Sequence, residues 1–87
     1  MYDLEIADVV DKRFTKLAKK NPEVLRKIRS KVDEVLANPR HFKPLRKPLQ
    51  NRRRVHIAGC FVLIFTIDEE RGVVKLLTFG HHDDAYR

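Results

Sequence analysis

A single cysteine, Cys60, is all that this 87-residue chain offers for crosslinking, so no disulfide can staple it from within. That usage fits a reducing, cytosolic setting in which packing alone holds the fold. Cys60 lies in an apolar run and reads as a small buried hydrophobe rather than a nucleophile. Long hydrophobic stretches are missing too. The longest nearly unbroken one, Ile57 to Phe65, is half of the about 20 residues that a spanning helix needs, which excludes a membrane function. No basic-then-apolar leader opens the chain, and there is no repeat, low-complexity tract or linker. Residues 1–87 therefore read as one domain, with a thin core that buries about 60 to 65% of the unfolded surface. No Cys pair or His-x-x-x-His spacing is present, and the adjacent His81, His82, Asp83 and Asp84 would point alternately to opposite sides of an extended chain. The reading is no metal and no cofactor.

What the chain does have is charge in one place. Arg40, Lys43, Arg46, Lys47, Arg52, Arg53 and Arg54 supply seven cations with no anion among them, while the remaining 12 Lys and Arg balance 12 Asp and Glu. A localised positive field on a neutral body suits a polyanion, most commonly nucleic acid. A merely solvated basic loop is the plainer alternative. Against it stands the company that the patch keeps, with His56 directly after it and His81, His82 and Tyr86 near the chain's end.

Periodicity supplies the framework. Tyr2, Leu4 and Ile6 alternate with Asp3 and Glu5, the pattern of a short strand. Asp8 is placed to cap a helix whose apolar stripe is Val10, Phe14, Leu17 and Ala18, with Lys12, Arg13, Lys16 and Lys19 pointing away. Asn21 followed by Pro22 opens a second helix, with Leu25, Ile28, Val32, Val35 and Leu36 as its buried stripe, and Asn38-Pro39 stops it. So short a turn folds the two helices into an antiparallel hairpin. After the irregular, proline-interrupted segment from His41 to Asn51, Arg52 to Ile57 alternates as a second strand. Phe61 to Ile67 is apolar on both faces, as a central strand should be. Asp68 to Gly72 turns, Val73 to Phe79 forms the last strand, and Gly80 is expected to end it. The expected fold is α+β: a small twisted, mainly antiparallel four-stranded sheet in the order β-α-α-β-β-β. It has an N-terminal strand, a two-helix hairpin on one face and then a three-strand meander.

The face left uncovered carries the candidate site. Arg54 and His56 share one side of the second strand, and Gly80 delivers His81, His82 and Tyr86 beyond the end of the fourth. Cleaving RNA with side chains alone needs a base for the 2′-hydroxyl, an acid for the leaving 5′-oxygen and cations on the pentavalent phosphate. Histidine and arginine suit these roles, and Tyr86 could stack on a base or orient the phosphate. The reading leaves His41 as an ordinary surface residue.

Several segments carry a resemblance that runs nearly end to end. Asn38-Pro39 after a two-helix hairpin, Leu45-Arg46-Lys47-Pro48-Leu49, Arg54-Val55-His56-Ile57, Ile67-Asp68-Glu69 and Gly80-His81-His82-Asp83-Asp84-Ala85-Tyr86-Arg87 together resemble the RelE/ParE toxin superfamily. RelE-like membership implies a toxin of a type II toxin–antitoxin system, a ribosome-dependent, metal-independent messenger RNA endonuclease that inhibits translation. It also implies a cytoplasmic, heteromeric complex with a RelB-like antitoxin, partly disordered and folding on binding, with ribosome and messenger RNA as the other partners. The catalytic positions that the resemblance implies are Arg54, His56, His82 and Tyr86, with His82 read as acid and His56 as base. The residues alone do not fix that order. RNA and ribosome contacts fall to Arg40, Lys43, Arg46, Lys47, Arg52, Arg53 and His81. Where many members carry a third-strand arginine directed into the site, this chain has Phe61 or Val62, so the phosphate clamp would have to come from Arg46, Lys47, Arg52 or Arg53. ParE-like relatives share the fold but inhibit DNA gyrase, and a degenerate relative would bind RNA or antitoxin without cutting. Both remain as alternative readings.

Overall fold

The computed structural model describes residues 1–49 and 51–82. In chain order it consists of β1 (Asp3–Ile6), α1 (Asp8–Lys20), α2 (Pro22–Ala37), a single 3₁₀ turn (Pro39–His41), β2 (Arg52–Ile57), β3 (Phe61–Asp68) and β4 (Val73–His81). This is the expected α+β order. The sheet runs β1-β4-β3-β2, with β1 parallel to β4 and the other pairs antiparallel.

Local chemistry sets the helix ends. The Asn21 side chain accepts a hydrogen bond from the Val24 amide at 3.4 Å, and Pro22 fills the first helical position, where its missing N–H costs nothing. The start of α1 differs from expectation. Ala7 is the residue before the helix and Asp8 already lies within it, with no side-chain cap; the chain leaves β1 at Ile6 and must turn at once, so Asp8 and Asp11 act on the helix dipole instead.

Both helices lie on one face. Val10, Ile28, Val32 and Val35 pack there against Val55, Ile57, Leu63, Phe65, Val74, Leu76 and Phe79. Phe14 meets Phe79 edge-on at 5.4 Å, and Phe42 meets Phe65 at 6.0 Å. β3 is buried on both faces, because Val62 and Ile64 on the side away from the helices are as inaccessible as Leu63 and Phe65. The bipolar apolar run of β3 thus marks a central strand, as its sequence suggested.

Two expectations fail at the connections. Cys60 is exposed, not buried. The link from β2 to β3 passes through Ala58 and Gly59 with φ of 55° and 78°, and this left-handed bend turns Cys60 outward before the apolar strand begins. Gly80 does not end β4, because β3 is long enough to keep pairing, and Gly80 is matched with Val62 and His81 with Phe61. The bare Cα has a use: a Cβ at Gly80 would lie 3.4 Å from the Arg13 guanidinium, so α1 packs its arginine over the end of the strand.

Candidate active site

β2 is an edge strand, and the preceding loop partly covers it. Leu45 donates to the Arg52 carbonyl at 2.8 Å, and Arg54 donates to the Lys43 carbonyl at 3.3 Å. Phe42 and Leu45 anchor this loop through their apolar side chains, which leaves Lys43, Arg46 and Lys47 exposed. The segment is therefore a fixed cationic strap and not a slack loop.

Alternation along β2 sends Val55 and Ile57 into the core and turns Arg54 and His56 to the face away from the helices. On that face the register places His56, Val62 and Gly80 in one row and Arg54, Ile64 and Thr78 in the next. His82 follows β4, and its amide donates to the Cys60 carbonyl at 2.9 Å, a bond that brings the chain back beside β2. The His82 and His56 rings then stack, with centroids 5.5 Å apart and planes inclined by 24°. Residues 26 positions apart in sequence, one mid-chain and one near its end, meet on an exposed surface.

The other expected residues divide. His81 goes to the opposite side of β4 and rests edge-on against Phe61 at 5.3 Å, so the adjacent histidines are split across the sheet. Arg53 is half-buried, and its guanidinium donates to the carbonyls of Phe42 at 2.6 Å and Arg40 at 3.4 Å, which fastens the strap to β2. Arg40 pairs with Glu69 at 3.0 Å, at the opposite end of β3 from the histidines. Arg46, Lys47 and Arg52 are exposed, with Arg52 opposite Thr66 at the far end of β2. Tyr86, with Asp83 and Asp84, lies outside the described residues. Val62 occupies the face at the level of His56 and is fully buried, while Phe61 turns to the helix side.

Beside the histidine pair, Lys31, His41, Phe42, Lys43, Arg54, Val55 and His56 line a depression of about 390 Å³. Lys31 and His41 were not foreseen. Lys31 comes from α2, whose pattern speaks only of its buried stripe, and His41 carries no signal beyond its cationic neighbours; it is held edge-on to Phe42 at 5.3 Å. The depression thus joins His56, one member of the stacked pair, to Arg54, Lys43, His41 and Lys31, whose ammonium also pairs with Glu34 at 3.4 Å.

The comparisons with known proteins now bear on this arrangement. Residues 4–86 match the family model described as the ParE toxin of the type II toxin–antitoxin system parDE. The chain belongs to the RelE/ParE toxin superfamily. It is similar to the candidate toxin RelE4 of Methanocaldococcus jannaschii, with 44% identity over 87 residues that cover 100% of this chain and 93% of that relative. Among solved structures, the toxin–antitoxin complex RelBE2 of Mycobacterium tuberculosis aligns with a TM-score of 0.76 at 24% identity, covering 93% of this chain and 98% of the other. The isolated RelE toxin of E. coli aligns at 0.77 and 23% identity, covering 93% and 84%. The RelE/ParE fold is thus common to both, whatever each surface does. Among the described residues of this RelE/ParE member, no helix is long and apolar enough to cross a membrane.

Proposed function

We propose that this RelE/ParE toxin is an endoribonuclease that cuts messenger RNA on the ribosome and so inhibits translation, acting in the cytoplasm and held in check by a RelB-like antitoxin. The observation that carries this reading is the stacked pair His56 and His82 on an open cationic face. Two imidazoles this close can reach two oxygens of one phosphodiester.

In the proposed reaction His56 takes the proton from the 2′-hydroxyl, whose oxygen attacks the adjacent phosphorus in line. His82 gives a proton to the departing 5′-oxygen, leaving a 2′,3′-cyclic phosphate and a free 5′-hydroxyl. Arg54, with Lys43 and Lys31 beside it, stabilises the charge that builds on the phosphorane. This fills the place that the missing third-strand arginine leaves open: the clamp comes from β2, the strap and α2 rather than from β3. Proton transfer and charge stabilisation are supplied by side chains, and no step calls for a metal. The remaining exposed cations, Arg46, Lys47 and Arg52, extend the positive surface toward ribosomal RNA.

The family model carries the ParE name, and this favours keeping gyrase binding as the second reading. Primer extension on a translated message decides between them. Cleavage that depends on this protein and disappears with His82→Ala supports the nuclease; intact message with accumulating gyrase-linked DNA breaks supports the other. Toxicity without either would leave a non-cutting binder.

A further inference from the structure

A second cleft lies on the helix side of the sheet, between α1 and the end of β4, and the reaction proposed above makes no use of it. Its volume is about 300 Å³, and its lining is Arg13, Lys16, Leu17, Lys20, Phe61, Phe79, Gly80 and His81. Four of these are cationic or can become so, and none is acidic. Its floor is aromatic. Phe61 and Phe79 stack at 5.3 Å with planes 19° apart, and His81 stands edge-on to Phe61 at the rim. Phe79 is buried, but Phe61 is half-buried and faces the opening.

Cations around an aromatic platform answer to the two parts of a nucleotide, its phosphate and its base. Arg13, Lys16 and Lys20 recur at three- and four-residue spacing, so they form one line along about 10 Å of helix, enough to follow a strand past one nucleotide. The cleft also connects with the histidine face. Arg13 reaches over β4 at Gly80, which stands in the same row as Val62 and His56. His81 and His82 are consecutive residues that serve opposite sides of one strand end.

We propose that this cleft is a single-stranded RNA subsite, in which a base stacks on Phe61 and the flanking phosphates lie on Arg13, Lys16 and Lys20. The strand bound there wraps the end of β4 and passes to His56 and His82. The proposal rests on the RNA-cleaving reading for its biological sense, yet binding can be measured apart from cutting.

The test uses a six-nucleotide, fully 2′-O-methylated RNA, which cannot be cleaved, followed by amide NMR and fluorescence anisotropy over a salt series. Addition should shift the amides of Arg13, Lys16, Lys20, Gly80 and His81 along with those near His56. The double variant Arg13→Ala, Lys16→Ala should bind about tenfold more weakly, with the slope of log affinity on log salt reduced by about 1.4, because each single-strand phosphate contact contributes about 0.7. Phe61→Leu, which keeps an apolar side chain on Phe79, should weaken binding by about fivefold with the slope unchanged. Shifts confined to the His56 face, with both variants binding like the parent, would overturn the subsite while leaving the nuclease reading in place. Absence of RNA binding anywhere would overturn the subsite, while cleavage on the ribosome is read separately by primer extension on a translated message. Equal shifts and affinity with a polyglutamate peptide would also overturn it, since a patch without preference for bases is not a nucleotide site.

Discussion

The two faces of one small sheet obey different rules. On the helix side, Val10, Ile28, Val35, Leu63, Phe65, Val74 and Leu76 are buried together, and what matters is volume and fit. On the far side, Val62 and Ile64 are also buried, yet their neighbours in register are His56, Arg54, Thr78 and Gly80, and among the described residues they stand apart from the core cluster that α1 and α2 cover. The first face keeps the protein folded. The second is backed by the same strands but spends its exposed positions on charge and imidazole. A thin domain thus separates stability from chemistry by nothing more than the alternation of a β-strand.

The sharpest way to break the comparison is to attack the covered face. Phe65→Ala should cost about 3–5 kcal/mol, a large share of the about 5–15 kcal/mol that a small domain has, and thermal unfolding followed by circular dichroism should show the loss. Toxicity should vanish with the fold. The open face should behave in the opposite way. His56→Ala and His82→Ala should each reduce cleavage of a translated message by about 10²- to 10⁴-fold while the melting temperature hardly moves. A melting temperature lowered as far as in Phe65→Ala would erase the distinction between the faces. A smaller effect is expected at the bend beneath the histidines. Ala58 holds a φ of 55° and is exposed, so Ala58→Gly should raise stability by about 1 kcal/mol in denaturant unfolding and leave cleavage unaltered. Smallest of all is Arg40→Ala. Its pair with Glu69 is largely exposed, so the loss should stay under about 1 kcal/mol, and RNA affinity should be unchanged because the guanidinium is turned away from the histidine face.

How much of this was legible in the sequence depends on the range of the forces involved. The start of α2 at Asn21 and Pro22, the apolar stripe of α2, the alternation of β2 and the two-faced apolar run of β3 are local signals, and they hold in the structure; of the stripe expected on α1, Val10, Phe14 and Leu17 pack inward while Ala18 is exposed. The convergence of His56 and His82 also followed from strand alternation, once the order of the elements was known. What failed depended on where the chain turns in space. Cys60 looked buried because its neighbours are apolar, but the left-handed bend at Ala58 and Gly59 rotates it outward. Arg53 looked like one more cation of the patch, whereas the fold hands it two backbone carbonyls to hold. His41 and Lys31 were missed for the same reason: the packed strap carries His41, and the docking of α2 carries Lys31, into the depression that Arg54 lines.

The place of β4 in the sheet has a temporal consequence. This strand lies between β1 and β3, and its Val73 is matched with Asp3 from the other end of the described chain. During synthesis it leaves the ribosome after the other strands, so the sheet stays in two separate pieces until the inserting strand arrives. His82, carried directly behind that strand, joins His56 only at this final step. On the proposed nuclease reading, an unfinished copy lacks its imidazole pair, and activity begins with closure.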